Sequence, residues 1–194
     1  MPFLRSALLV CLMIGPLALA GCASGSNPFA GQPDNVKAAN IDAEVDAALA
    51  QLFNEVPAAQ SIADQAEGVL IFPSVVKGSF IFGAEYGEGA LRVNGQTVNY
   101  YNTAGGSVGF QAGAQSRSEA IFFLSQEALD SFRSSQGFEA GVDGTITVLD
   151  RGAAAKADTT NINNPIVAFI YGAQGLMAGV SLEGAKFTKL DIEA

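Results

Sequence analysis

The residues able to do chemistry are few, and the gaps among them decide most. There is no histidine in the 194 residues. That removes His-based catalytic triads, His-ligated metal sites and the commonest general base. The two cysteines, Cys11 and Cys22, both fall near the N-terminus, so the rest of the chain has no disulfide and no thiol chemistry. Glu85 and Glu88 are close enough in sequence to imitate a pair of catalytic carboxylates. Beside Gly87 and Gly89, in an acidic chain, they read instead as solvated acids flanking a turn. The spacing Gly83-x-x-x-Gly87-x-Gly89 fits neither a dinucleotide fingerprint nor a phosphate loop, and no lysine follows it. The stretch Asp158 to Pro165 is rich in oxygen ligands but lacks the glycine and terminal glutamate of an EF-hand loop. Asp158 and Asn161 are therefore the one weak metal candidate, and turn-forming side chains explain them equally well. The expectation is a protein that is not an enzyme, with no catalytic residue, no cofactor and no strong metal site.

Cys22 has a special setting. Arg5 precedes an apolar run from Ala7 to Ala20, too short to span a bilayer, and small residues then lead into the cysteine. The tetrapeptide Leu19-Ala20-Gly21-Cys22 resembles the lipobox of bacterial lipoproteins. That resemblance implies cleavage after Gly21, a diacylglycerol on the Cys22 thiol and a palmitate-type acyl chain on its new amine. Acyl burial contributes roughly 0.8 kcal/mol per CH2, and stable attachment takes about two chains, which such a modification supplies. Ala23 and Ser24 follow the cysteine, where an aspartate would favour retention at the inner membrane. The sorting rule of that family thus points to the periplasmic side of the outer membrane, with the inner membrane as the alternative.

Charge narrows the partners. The chain carries a net −9, and loss of residues 1–21 with Arg5 leaves nine basic against 19 acidic residues, a net −10. Such a surface repels nucleic acid and anionic head groups. No other apolar run is long enough to cross a membrane.

The elements that would position these residues follow in order. Residues 22–34 read as a lipidated cysteine and a Ser-, Gly- and Pro-containing tether, with a span of about 20 Å as a flexible coil. Residues 35–194 form the domain. Ile41, Val45, Leu49, Leu52, Phe53 and Val56 recur at helical steps over Val36–Val56, while Asp42, Glu44, Asp46 and Glu55 mark a polar side. A membrane-surface helix would carry Lys and Arg there, so this helix is expected to pack on the domain's own core. Pro57 to Gly68 suggests a second short helix. Strand patterns follow at Val69–Phe72, Ser79–Tyr86, Ala90–Val93, Thr97–Tyr101, Ser107–Ala114, Ala120–Leu124, Glu139–Leu149, Ile166–Tyr171, Met177–Leu182 and Lys186–Leu190. Asn94-Gly95 is the strongest hairpin signal, and Gly172 to Gly175 mark a second turn. Ser125 reads as the N-cap of an inserted helix through Arg133, ended by Gly137. The fold class expected is α+β, mostly β: a coiled antiparallel sheet, sandwich or open barrel, with two N-terminal helices and one inserted helix. Clustered glycines from Gly83 to Gly113 are expected to mark bulges and bends.

Several ordered segments carry a family resemblance. Gly68-Val-Leu-Ile-Phe-Pro73-Ser-Val-Val-Lys77-Gly78 is followed by Gly83-Ala-Glu-Tyr86-Gly87-Glu-Gly89. Later come Tyr100-Tyr101-Asn-Thr103, Ser107-Val-Gly-Phe-Gln111-Ala-Gly-Ala-Gln115 and Gly175-Leu-Met-Ala-Gly179-Val-Ser-Leu-Glu183-Gly184. From Ile41 to Leu190 the chain is similar to the SYLF domain family, known also from fungal actin-patch proteins that bind actin and lipid. The resemblance implies a binding module for phospholipid or another amphiphile. Actin is absent from a bacterial periplasm, which leaves an envelope protein as the alternative partner. Lys77 sits at a family motif position and is the expected head-group contact; Phe72, Val75, Val76, Phe80 and Phe82 are the expected apolar contacts, if they are not simply core.

Overall fold

The computed structural model describes residues 33–79, 82–108, 113–149, 164–172, 175–176 and 180–192. Cys22, Phe80, Asp158 and Asn161 lie outside these residues. Two helices come first, α1 at Asp34–Glu55 and α2 at Pro57–Ala63. Four long strands follow: β1 at Gly68–Ser79, β2 at Phe82–Val93, β3 at Gln96–Val108 and β4 at Gly113–Phe123. Then come α3 at Gln126–Ser134, β5 at Phe138–Glu139, β6 at Thr147–Val148, β7 at Ile166–Gly172, β8 at Gly175–Leu176 and β9 at Lys186–Lys189. The strands share one sheet, ordered β5-β9-β3-β2-β1-β4-β7-β6, with β8 paired to β7. The expected α+β class, dominated by strand and with three helices so placed, is borne out. Among the described residues every strand pairing is antiparallel except that of β6 with β7.

The spatial order β4-β1-β2-β3 is a Greek key. Asn94 and Gly95 turn β2 into β3 with φ of 51° and 76°, the two left-handed residues that a tight hairpin needs. Strand β1 runs straight through Pro73, where the sequence pattern suggests a stop. A bulge between Ile71 and Ser74 absorbs the proline, which has no N–H to give the ladder. The bulge pushes backbone toward β2. A Cβ on Gly89 would lie 1.9 Å from the Ile71 carbonyl oxygen. This glycine is required by its neighbour's backbone, and its own φ is ordinary.

Four expected strands differ from the structure. Ser79–Tyr86 and Ser107–Ala114 each straddle a strand end, because the Phe/Ile/Tyr-rich composition of the one and the alternation of the other run past it and do not show a reversal. Glu139–Leu149 is interrupted at Gly141, which has φ of 90°, and the Val142 and Asp143 amides donate back to the Glu139 carbonyl. Over Met177–Leu182, residues 180–182 are not in a strand, and β8 ends at Leu176.

Both faces of the sheet are covered in its central part. On one face α1 and α2 bury Leu52, Val56 and Ile62 against Phe122, Val167 and Phe169. On the other, Leu129 and Phe132 of α3 meet Leu70, Phe123 and Phe187. Phe132 lies against Tyr101, Phe123, Phe138 and Phe187, with ring centroids 4.9–6.3 Å apart. Successive β4 residues therefore serve different cores, Ile121 and Phe123 one, Ala120 and Phe122 the other. Ser125 caps α3 as expected, its hydroxyl accepting from the Ala128 amide at 3.2 Å.

Candidate functional site

The site residues expected from sequence converge on the second half of β1 and are then split by the pleat. Phe72 and Val75 point into the α3-side core, and Phe72 stacks on Phe187 at 5.6 Å. They are core residues, unavailable to a surface ligand, so the expectation that they contact lipid is corrected. The bulge at Pro73 puts Phe72 and Val75 on the same face although they are an odd number of positions apart. Val76 points the other way and is 49 % exposed. Lys77 is half-buried, opposite Glu85 on β2 and Gln115 on β4. Phe82 opens β2, and its side chain lies outside the described residues.

Val76 belongs to a row that crosses four strands. Its register partners are Tyr86 on β2 and Ser116 on β4, and Tyr86 pairs in turn with Ala104 on β3. All four are exposed, Tyr86 by 40 %. Ala84 and Gly106, in the next row outward, are exposed too. A Cβ on Gly106 would meet nothing within 4 Å. One row inward the picture reverses. Glu88 is buried, and Lys37 from the first turn of α1 lies 3.0 Å from its carboxylate. The Tyr86 hydroxyl donates to the same carboxylate at 2.6 Å. Burial and that carboxylate together hold the Tyr86 hydroxyl's pKa well above the ordinary phenol value. The N-terminal turn of α1 therefore marks where cover of this face ends.

On the opposite face a second charged group was not anticipated. Arg117 donates to Glu119 at 2.8 Å and to Glu85 at 3.0 Å, so one guanidinium serves carboxylates on β4 and β2. Glu119 is 1 % exposed and its Oε2 has no hydrogen-bond partner. Burial pushes its pKa up to about 7; Arg117 opposes that rise and Glu85 adds to it. Glu85 and Glu88 are thus not the solvated turn acids expected. Both lie within β2, held by cations on opposite faces. The legible signal was the alternation Arg117-x-Glu119 running into an apolar strand, which puts two opposite charges on one face at the edge of a core.

The α1 acids are also engaged. Asp42 accepts from Thr97 at 2.6 Å and from Tyr100 at 3.0 Å, and Arg92 lies between Asp42 and Asp46. Burial, then the hydrogen bond to Asp42, raises the Tyr100 hydroxyl to about 12. These are fastenings of helix to sheet. Among the described residues no group of three acidic or cysteine side chains is placed to hold a metal, and none of their helices is long and apolar enough to cross a membrane.

Residues 104–192 match the Ysc84 family, described as Las17-binding protein actin regulator. The SYLF resemblance is shown over this stretch, which is a Ysc84 (SYLF) domain match running from late β3 past β9. Arg117, Glu119 and Ala104 fall inside it, whereas Val76, Lys77 and Tyr86 lie on the two strands before it. No curated protein matches the chain. The domain match supports a lipid- or protein-binding module.

Proposed function

We propose that the chain is a lipoprotein anchored through Cys22, facing the periplasm, whose domain binds phospholipid or another amphiphile without catalysing a reaction. The outer membrane is the favoured location. The observation that carries the lipid reading is the exposed Val76–Tyr86 pair, at a sheet position where most residues are small and uncharged. The Leu19-Ala20-Gly21-Cys22 tetrapeptide supports the anchor. Labelled palmitate should be incorporated by the parent chain and not by Cys22→Ser; equal labelling of both sinks the anchor. For binding, the compact unit that begins at Gln32 serves once circular dichroism shows it folded. It should bind zwitterionic and anionic vesicles with a modest difference and retain binding at raised salt, because a Debye length of about 8 Å leaves one half-buried lysine little reach. Lys77→Ala should weaken binding slightly and Val76→Ser more. Steep salt dependence with loss in Lys77→Ala would move the mechanism to head-group electrostatics.

A second reading has one observation in its favour. Strand β9 pairs with β3 only at Tyr101–Ala104, and β7 pairs with β4 only from Ser118 onward. Among the described residues no strand pairs with the outer edges of β3 beyond Ala104 or of β4 before Ser118. Such edges can accept an extended segment of an envelope protein. A folded domain that binds no vesicle but retains a protein partner would select this reading.

A further inference from the structure

We propose that the open end of the β1–β4 sheet, the rows through Ser116–Val76–Tyr86–Ala104 and Ala84–Gly106, is the surface by which the domain lies on the bilayer that carries its own anchor. This rests on the membrane-anchored reading above and adds an orientation to it.

Three observations meet there. The first is charge. The chain has 29 charged residues, yet Gly78–Ala84 and Ala104–Ser116 contain none. The register brings the paired residues of these segments to one end of the sheet, with Ser79 opposite both Gly83 and Gly113, and Phe82 opposite Val108. Lys77 and Glu85 pair in the row between, but on the opposite face, so in these rows the face that carries Val76 and Tyr86 has no charged residue and a zwitterionic surface can meet it without like-charge repulsion. The second is apolar exposure. Of the four large apolar side chains exposed among the described residues, Val76 and Tyr86 are cross-strand partners in these rows. A third, Val36, is in the first turn of α1 beside Lys37, whose ammonium reaches the adjoining row at Glu88. A tyrosine with its ring outward and its hydroxyl tied back suits a membrane–water boundary.

The third observation is where the chain arrives. Helix α1 starts at Asp34, at the border of the open rows, and runs away from them, so that Asp42 and Asp46 reach Arg92 near the Asn94–Gly95 hairpin. Cys22 precedes Pro33 by eleven residues. The domain's N-terminus lies at the border of these rows, and the acidic body of α1 lies beyond it. The rows cross four strands, about 14 Å between the outer strand axes, a span that suits an extended surface.

The test uses the full processed chain, in which Cys22 is acylated and no other thiol remains. Single cysteines replace Val76, Ala104 and, as a control, Val142 on the exposed turn after β5. Each is labelled with an environment-sensitive fluorophore and reconstituted in phosphatidylcholine vesicles containing a doxyl-lipid quencher. Flotation of the whole protein with the vesicles checks the anchored reading on its own. Given flotation, labels at 76 and 104 should shift to the blue and lose emission to the quencher, whereas the label at 142 should do neither. Flotation with no quenching at 76 and 104 overturns the docking surface and leaves the anchor standing. Self-quenching that grows with protein density instead assigns the face to a second copy and also overturns it. Failure to float removes the anchored reading and this inference with it. Circular dichroism of each labelled chain, and agreement between positions 76 and 104, guard against a local folding defect.

Discussion

The four long strands have two unlike halves. Toward the β2–β3 hairpin they carry Leu70, Leu91, Ile121 and Phe122, and helices seal both faces. Toward the other end the same strands carry glycine, alanine and serine, and one face is open at Val76 and Tyr86. The boundary is drawn in charge. Lys37 with Glu88 closes one face, and Arg117 with Glu85 and Glu119 closes the other. One half supplies the stability of the fold, and the other is held out in extended form by strands whose anchorage lies elsewhere. A sheet can support an uncovered, weakly stabilised end only if its covered end is strongly fixed.

The largest effects should therefore come from the covered half and its charged boundary. Phe132→Ala empties the centre of a cluster of four rings and should cost about 3–5 kcal/mol in urea unfolding. Arg117→Met leaves Glu85 and Glu119 without their shared cation, and losing one side of a buried pair costs about 3–5 kcal/mol. Adding Glu119→Gln to Arg117→Met should recover a large part of that loss. Val76→Ser, by contrast, should stay within about 0.5 kcal/mol, as surface changes do. A loss at Val76 comparable to that at Phe132 would erase the distinction between the halves.

The boundary also predicts a pH dependence. Glu119 has a folded pKa of about 7 against the ordinary 4.5, so between these values the folded chain holds a proton that the unfolded chain has lost. The slope of stability with pH is then negative. This contribution is fully favourable below about pH 4.5 and is lost as pH rises through about 7. At about 1.4 kcal/mol per unit the upper limit is roughly 3 kcal/mol. Glu119→Gln should flatten the decline measured by urea midpoints across that window. A decline of equal size in the variant would assign it to other groups.

How much of this was legible follows the same division. Helices α1 and α3, the Asn94–Gly95 turn and the strand-rich class are visible in sequence because each rests on a local signal: period, cap or left-handed turn pair. The strand ends at Ser79 and Val108 are not, because uncharged residues run on past both and no Asn-Gly pair marks the reversal. Pro73 reads as an interruption, and only a bulge answered by a glycine on the next strand makes it an interior residue. The same bulge moves Val75 inward and Val76 outward, so the aliphatic pair Val75-Val76 could not be assigned to a face from spacing alone. The Arg117 cluster was hidden because Glu85 lies two strands away and only pairing order brings it near.

Glycine substitutions make the finest comparison, because two residues of one type and one strand environment should respond with opposite sign. Gly89 faces the Ile71 carbonyl across the bulge, and a methyl there would lie 1.9 Å from that oxygen. The contact is with backbone, so no rotamer change relieves it. Gly89→Ala should force the bulge apart and cost about 1–3 kcal/mol, the usual range for overpacking. Gly106 sits on the open end of β3 with nothing within 4 Å of an added Cβ. There the methyl meets only solvent, and alanine restricts the unfolded chain more than glycine does. Gly106→Ala should raise stability by about 0.4–1 kcal/mol at most. Urea unfolding of both variants beside the parent would read the difference directly. A destabilised Gly106→Ala would mean that something rests on this end of β3 in the free protein and that the face is not open.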